Sequence, residues 1–242
     1  MKIWVRHTVF TAIMLAGITG VLVLNHFRNS GSREFTCKGI SVELLDSVRF
    51  LSEDELKERI TARYGACIGR RIDSIALDRI ESIILTDRTV RSCEAWITPD
   101  LILHIGVEQR YPIARFVTGD SGFYVDADGV FFPLHQSYTA PVPVICGNLR
   151  PDDTRWTRSV AGIADAFAKD EDWKGLVDSL WIDRRGDIRI RPEGSGVTYI
   201  LGDPDGLGDK MDRMRIYRDS LSRNGIRYST VNVKYNNSII CK

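Results

Sequence analysis

The sequence predicts an α+β protein with a single N-terminal transmembrane helix, a β-α-α-β-β domain, and then a mainly antiparallel β domain with two helices. Three observations support this prediction. An uncharged apolar run lies near the N-terminus, two helical stretches lie between strand-like segments, and short strands follow one another from residue 117 onward. A chain of 242 residues exceeds one average domain. We therefore divide it into a head (1–7), a transmembrane helix (8–25), a linker (26–34) and two domains (35–116 and 117–242).

The transmembrane helix is predicted from an apolar run, Thr8 to Leu24, that contains no charged residue. At about 1.5 Å rise per residue, this run almost matches a hydrocarbon core about 30 Å thick. The alternative is a cleaved signal peptide, which has a shorter apolar region that ends in a small-residue cleavage site. The residues that follow, NHFRNSGS, contain no such site, so the run favours an uncleaved anchor. Basic residues on both sides of the run do not decide its orientation.

Composition and motifs argue against several classes of function. Lysine and arginine number 33 against 32 aspartate and glutamate, so no overall field attracts nucleic acid. The five cysteines lie far apart without a C-x-x-C pair, and buried, reduced thiols are the commoner state of such residues. No nucleotide-binding loop and no H-E-x-x-H motif is found. We expect no cofactor, metal, small-molecule substrate or nucleic acid, and we assign no disulfide.

The first domain is predicted from two helices set between strands. A strand-like segment, FTCKGISVELL, precedes Ser52, and Glu55 three residues later completes a capping box. Leu56, Ile60 and Tyr64 then share one helical face. A second helix fits SIALDRIESIILT, and VRSCEAWITPDLILHIGVEQRY alternates like two strands that meet at Thr98-Pro99-Asp100. These elements predict one three-stranded sheet with two helices on one face.

The second domain is predicted from short strands and two further helices. GFYVD and VFFPL flank a hairpin turn at Ala127-Asp128-Gly129, where glycine supplies the positive φ. VPVICGN, SLWIDRRGDIRIRPE and GVTYILGD supply more strands, and WTRSVAGIADAFAKDEDW has helical spacing. Another helix fits residues 209–223. A strand, an Asn-Asn turn and a short strand close the chain.

Two stretches of the second domain resemble chemical motifs. TGDSG contains the tetrapeptide that surrounds a trypsin-like nucleophile, but Phe123 follows Gly122 and no histidine stands in a suitable position. We therefore interpret Ser121 as part of a turn that leads into a strand. Asp126 and Asp128 are similar to the start of a calcium loop, but Gly129 comes two places early for an EF-hand. A hairpin turn is the preferred interpretation.

The C-terminal SIICK segment is apolar and strand-like. A final strand at the edge of a sheet pairs through one side and leaves a row of backbone N–H and C=O groups for another chain's strand. Alternatively, the edge is short and simply tolerated. The pattern alone leaves both interpretations open.

Three stretches occur in the chain in the order VEQRYPIARF (107–116), GFYVDADGVFFPL and VNVKYNNSIICK. Together they resemble the FtsQ/DivIB family of bacterial division proteins. The first resembles the junction between that family's POTRA and β domains, through Glu108, Pro112 and Ala114. The second resembles its G-x-Y-x-I/V-D-x-x-G-x-x-F element, and the third resembles its closing segment, with Asn232 in the place of the usual Asp. With one transmembrane helix ahead of them, the resemblance covers nearly the whole chain.

The resemblance implies a single-pass type II protein of the inner membrane, held in the bilayer by residues 8–25. Its head would be cytoplasmic, and its POTRA-like domain (35–116) and β domain (117–242) would lie in the periplasm at the division septum. It would act as a non-enzymatic divisome scaffold that binds FtsB/FtsL (DivIC-type) coiled-coil proteins and coordinates septal peptidoglycan synthesis.

The resemblance also implies which residues bind the partner. The partner would add a strand at the C-terminal edge, at Tyr235, Ser238, Ile239, Ile240 and Cys241, and either Arg184 or Arg185 would also contact it. Two alternatives remain. A POTRA-bearing periplasmic protein of outer-membrane transport or assembly would be expected to carry a β-barrel or several POTRA repeats, and a membrane-tethered hydrolase would depend on Ser121.

Overall fold

The computed structural model describes Thr19 and residues 35–119, 121–136, 138–222, 225 and 228–242. The predicted head (1–7), transmembrane helix (8–25) and linker (26–34) lie outside these residues, apart from Thr19. Within the described ranges, no helix combines the length and the hydropathy of a membrane span.

Residues 39–109 form the first sheet and its two helices. The elements are β1 (Gly39–Leu44), α1 (Glu53–Arg63), a short 3₁₀ helix (Ile72–Ser74), α2 (Leu77–Leu85), β2 (Val90–Ile97) and β3 (Ile102–Gln109). The strand order is β1-β3-β2, with β1 parallel and β2 antiparallel to β3. The predicted β-α-α-β-β order is therefore confirmed.

Local sequence signals explain where α1 begins and ends. The Ser52 side chain accepts a hydrogen bond from the Glu55 N–H, and the Glu55 side chain accepts one from the Ser52 N–H, so the predicted capping box is present. Gly65, with φ of 101°, follows the helix, and its N–H donates a hydrogen bond to the Thr61 carbonyl. Leu56 and Ile60 on one face are fully buried and pack in one cluster with Ile80, Ile84 and the sheet.

The second sheet has nine strands in the order β12-β11-β10-β9-β8-β7-β4-β5-β6. The strands and the two helices are β4 (Pro112–Thr118), β5 (Ser121–Asp126), β6 (Phe131–Pro133), β7 (Val144–Gly147), α3 (Thr154–Lys169), β8 (Ser179–Ile182), β9 (Ile188–Ile190), β10 (Thr198–Gly202), α4 (Leu207–Ile216), β11 (Thr230–Asn232) and β12 (Ile240–Cys241). A π-helical segment, Tyr217–Ser222, continues from α4. The predicted helix at 209–223 therefore starts two residues earlier and changes its hydrogen-bonding pattern before its end.

The second sheet is mixed, and its helices explain why. β7 and β8 pair in parallel across α3, and β10 and β11 pair in parallel across α4. A crossover helix between neighbouring strands produces a parallel pair, whereas a short turn produces an antiparallel one. β4 and β7 are also parallel, and the remaining neighbours are antiparallel.

β4 belongs wholly to the second sheet, where it pairs with β5 and β7. The domain boundary predicted between residues 116 and 117 falls inside this strand. The alternating pattern in VEQRYPIARF marks strands on both sides of Tyr111, but it does not indicate with which sheet each strand pairs.

The two faces of the second sheet differ. Both α3 and α4 pack on one face, where the buried residues of the sheet and of these helices form one large core. On the other face, Tyr124 and Phe132 are buried under Phe50, Val48 and Ala140. We call this region, over β5 and β6, the covered half. The same face over β7 to β12 is called the open face.

All five cysteines are free thiols, and Cys37, Cys67 and Cys93 are buried. The expectation of buried, reduced cysteines is confirmed for these three, and Cys146 and Cys241 are partly exposed. Burial raises the pKa of Cys93 to about 11, so the thiolate form is disfavoured at neutral pH.

Candidate functional site

The C-terminal strand β12 lies at the edge of the second sheet. It pairs antiparallel with β11, with Cys241 opposite Val231 and Ile240 opposite Asn232. Among the described residues, no strand pairs with its other side. The final strand is therefore an edge strand, as the sequence predicts.

The hydrogen bonds of β11 and β12 identify which backbone groups face outward. Lys242 and Thr230 exchange both backbone hydrogen bonds, at 2.9 and 3.0 Å. In an antiparallel pair, hydrogen-bonded and non-hydrogen-bonded positions alternate. The N–H and C=O of Cys241 therefore point away from β11, toward the free side, while Ile240 bonds inward. Cys241 thus supplies one donor and one acceptor at the edge.

The side chains of the terminal segment divide between the two faces of the sheet. Cys241 and Ile239 are partly buried against the core that includes α3 and α4, whereas Ile240 is exposed. Asn237, with φ of 56°, forms the preceding turn, and asparagine tolerates this left-handed conformation better than most residues. The predicted Asn-Asn turn is confirmed, and Ser238 follows it directly.

A depression of about 430 Å³ lies at one end of the sheet. Its lining includes Arg150, Trp156, Arg185, Asp187, Lys234 and Tyr235. Of the predicted partner-binding residues, Arg185 and Tyr235 thus line one depression. Arg184 is exposed on the same turn but is not among its lining residues.

The charges in the depression are held in place by local contacts. The Lys234 ammonium lies 3.0 Å from the Asp187 carboxylate and 5.2 Å from the centre of the Tyr235 ring. The hydrogen bond to Asp187 raises the pKa of Lys234, which stays charged at neutral pH. The Arg150 guanidinium lies 5.7 Å from the Trp156 ring. The depression therefore presents cations beside aromatic rings.

Gly186 explains how the DRRGD turn fits beside Arg150. It has φ of 85°, and a Cβ at this position would lie 2.8 Å from Arg150 Nη2. Glycine is therefore favoured by the left-handed backbone conformation, while the guanidinium, at the end of a flexible side chain, lies close beside it. Sequence reasoning did not identify Arg150 or Trp156, because α3 and its preceding loop are distant in sequence from the terminal segment. It also did not assign Lys234 to the partner site. Lys234 could have been found, since it directly precedes Tyr235.

The predicted junction residues lie at the passage between the two sheets. Glu108 accepts a hydrogen bond from the Ser92 hydroxyl at 2.9 Å and lies 3.6 Å from Arg91, which is also 3.3 Å from Asp128 of the β5–β6 turn. Pro112 begins β4, and Ala114 is fully buried in the second core. Arg91 thus bridges residues of the first and second sheets.

The two stretches that resemble chemical motifs have structural explanations. Ser121 begins β5 and donates to the Thr118 carbonyl at 3.1 Å, and a Cβ on Gly122 would lie 2.3 Å from the Phe116 carbonyl oxygen. The glycine after Ser121 is therefore required by strand pairing. Asp126 is buried, accepts from Val130 N–H at 2.8 Å and pairs with Arg110 at 2.7 Å, so it closes the predicted hairpin turn. No cluster able to hold a metal ion occurs in the described part of the chain.

Two family models match the chain. Residues 111–242 match the model described as FtsQ/DivIB, C-terminal related. Residues 35–108 match the model of a POTRA-like domain. The passage from the POTRA-like match to the C-terminal match, between residues 108 and 111, lies at the passage from β3 to β4. No match is found among the curated proteins.

Proposed function

Because the chain belongs to the FtsQ/DivIB family, we propose that it is a non-enzymatic, membrane-anchored scaffold of the bacterial divisome. It recruits FtsB/FtsL (DivIC-type) partners by strand addition at its C-terminal edge and so coordinates septal peptidoglycan synthesis. Residues 8–25 form a single transmembrane helix in the inner membrane. The head is cytoplasmic, and the POTRA-like and β domains lie in the periplasm at the division septum.

The observation that carries this proposal is the outward N–H and C=O of Cys241 on β12. An extended segment of a partner that lies beside β12 pairs with these groups, and the sheet gains a tenth strand. Strand addition derives affinity from main-chain hydrogen bonds and specificity from side-chain pockets nearby. The depression lined by Arg185, Lys234 and Tyr235 is the nearby pocket that we assign to this role.

The composition of the depression favours an acidic side chain of the partner. Arg150, Arg185 and Lys234 contribute three cations to its lining, against the carboxylates of Asp187 and Asp203. Asp187 is already paired with Lys234, and Asp203 with Lys210 at 2.7 Å. Arginine forms bidentate hydrogen bonds with a carboxylate, so Arg185 is the residue that we propose for this contact.

Replacement of Cys241 by proline tests the strand addition. Proline removes the outward N–H of Cys241 but leaves the inward bonds of Ile240 and Lys242, and edge strands tolerate proline at such positions. Cys241→Ala is the matched control, because it keeps the N–H. The full-length chain is co-expressed with the FtsB/FtsL-type proteins of its organism, extracted in mild detergent and captured by a tag. We expect Cys241→Pro to abolish co-purification and Cys241→Ala to retain it; retention by both variants would refute strand addition.

The two neighbouring arginines provide a second matched pair. We expect Arg185→Glu to weaken partner capture at least tenfold, because it places a negative charge in the depression. We expect Arg184→Glu, on the same turn, to leave capture within twofold of the original chain. A larger loss of capture in Arg184→Glu than in Arg185→Glu would assign the contact to Arg184.

A fluorescent fusion of the full chain should gather at midcell before constriction, and a uniform membrane signal would contradict the proposed role.

A further inference from the structure

A row of directly opposed residues crosses the open face from β7 to β12. Opposed residues of paired strands point to the same side of a sheet. The register places Cys146 opposite Trp181, Trp181 opposite Arg189, Arg189 opposite Ile200, Ile200 opposite Asn232 and Asn232 opposite Ile240. The neighbours of Trp181 in its strand, Leu180 and Ile182, are buried against the core on the opposite face. The row therefore points away from α3 and α4.

Two large apolar side chains of this row are exposed. Trp181 is 55 % exposed and Ile240 is 44 % exposed. Tryptophan carries a large share of the binding energy at protein interfaces, where it enters a desolvated contact. Trp181 lies on a β-sheet face, next to a shallow cavity of about 230 Å³ that Arg189 and Thr198 also line. The feature therefore has the shape and the anchor residue of an interface.

The charge of the cavity lining restricts what it accepts. The described residues that line it include Arg189 and Arg191 but no carboxylate. Arg189 is held by Asp183, with 2.6 and 2.9 Å between the guanidinium nitrogens and the carboxylate, and Arg191 donates to the Gly196 carbonyl at 3.4 Å. Two copies of this face would each present arginines and no carboxylate at the cavity lining, so the face does not complement its own charge. The lining instead complements a segment that combines apolar and acidic side chains.

Ile240 connects this face with the strand-addition edge. Its side chain ends the row on the open face, and its strand β12 carries the outward N–H and C=O of Cys241. A strand added beside β12 places every second side chain on the open face, directly beyond Ile240. The polypeptide that pairs with β12 thus reaches the open face without a long connection.

We propose that the open face is a second docking surface for the same partner. An acidic, amphipathic segment of that partner, contiguous with the strand beside β12, covers Trp181 and Ile240 with its apolar side and places carboxylates near Arg189 and Arg191. This inference rests on the proposed function for the identity of the partner. It adds a contact that the C-terminal edge and the Arg185 depression do not supply.

Photo-crosslinking from position 181 tests the proposal directly. The full-length chain, with benzoylphenylalanine at position 181, is co-expressed with the FtsB/FtsL-type proteins and irradiated in membranes. The matched control carries the same residue at position 96, because Trp96 is 40 % exposed on the first sheet. We expect a crosslink to the partner from position 181 and none from position 96. A product of twice the chain's mass, a crosslink to lipid, or no product from position 181 would overturn the assignment.

Affinity measurements separate this proposal from the function on which it rests. We expect Trp181→Ala to weaken partner binding at least tenfold and Arg191→Glu to weaken it further than Arg191→Gln, while Trp96→Ala changes it less than twofold. If Cys241→Pro abolishes binding but Trp181→Ala does not weaken it, the open face is not a docking surface and the strand-addition proposal stands. If Cys241→Pro leaves binding intact while position 181 crosslinks the partner, strand addition fails and the docking face stands.

Discussion

The covered half and the open face belong to the same side of one sheet, yet their aromatic residues have opposite environments. Tyr124 and Phe132 on the covered half are buried beneath Phe50, and the Tyr124 hydroxyl accepts a hydrogen bond from the Ala140 N–H at 3.1 Å. Trp181 on the open face is largely exposed. Strand order and register therefore do not determine which part of a sheet face is buried.

The difference arises from segments that are distant from the strands in sequence. The cover comes from Val48 and Phe50, between β1 and α1, and from described residues after β6, namely Leu134, Tyr138, Ala140 and Val142. Gln109 fixes the first of these segments, because its side chain bonds to Asp46, Val48 and Leu51. The open face has no described segment in this role. The chain itself therefore buries the aromatic residues of the covered half, whereas in our proposal a partner buries those of the open face.

The largest effect on stability is expected from Phe50→Ala. The Phe50 ring is fully buried and contacts Tyr124, Phe132 and Tyr138, with 5.4, 5.7 and 5.0 Å between ring centroids. Removal of a buried phenylalanine ring costs about 3–5 kcal/mol of unfolding free energy. Urea denaturation of the two chains measures this loss. Phe35→Ala, at an exposed position, is the control, and a loss below about 1 kcal/mol for Phe50→Ala would show that the cover does not stabilise the fold.

Gln109→Ala is expected to have the next largest effect. Gln109 Nε2 donates to Asp46 Oδ1 and to the Val48 carbonyl at 3.0 Å, and its Oε1 accepts from Leu51 N–H at 2.8 Å. Because these groups are buried, the loss of their partner costs about 1–3 kcal/mol. Gln136→Ala, at an exposed position, should cost less than about 0.5 kcal/mol. Equal effects of the two substitutions in a denaturation series would contradict the role of Gln109 in fixing the cover.

A smaller effect, with a defined pH dependence, is expected from Ser52→Ala. The backbone and side-chain hydrogen bonds to Ser52 lower the pKa of Glu55 below its usual value. A carboxyl with a lowered pKa in the folded state stabilises the fold above its unfolded pKa, about 4.3, and loses this contribution as the pH falls through the folded pKa. Loss of the cap costs about 1 kcal/mol at neutral pH.

The difference between Ser52→Ala and the original chain should therefore shrink below about pH 4. The N-cap bond from Glu55 N–H to the Ser52 hydroxyl does not depend on the charge of Glu55, so part of the difference remains. Denaturation midpoints at pH 7 and pH 3 measure both parts. Ser82→Ala, at an exposed position inside α2, is the control, and a difference that grows on acidification would contradict the capping assignment.

The helix cap and the hairpin turn could be predicted because the residues that form them are close together in the sequence. Ser52 and Glu55 lie three residues apart, and the Asp126–Gly129 turn is complete in the sequence. Each prediction depends on hydrogen bonds between residues that are close in the chain. Such bonds can form without contacts from distant parts of the chain, so the local sequence is enough to predict them.

The environments of the aromatic residues could not be predicted in this way. GFYVD and SLWID both place an aromatic residue between apolar neighbours, so period-two alternation assigns Tyr124 and Trp181 the same role. Burial of Tyr124 requires Phe50, which is distant in sequence. The depression likewise combines Trp156 with Lys234 and Tyr235. Contacts of this kind depend on how segments distant in sequence come together, which alternation does not encode.

The smallest effect on stability is expected from Trp181→Ala, and its smallness is what distinguishes the open face from the covered half. Most of the Trp181 side chain already contacts solvent in the free chain, so its removal exposes little additional apolar surface. The unfolding free energy should change by less than about 0.5 kcal/mol, although the same substitution weakens partner binding in our proposal. A loss comparable with that of Phe50→Ala, measured in the same urea series, would mean that Trp181 stabilises the free chain, and the contrast between the two halves would disappear.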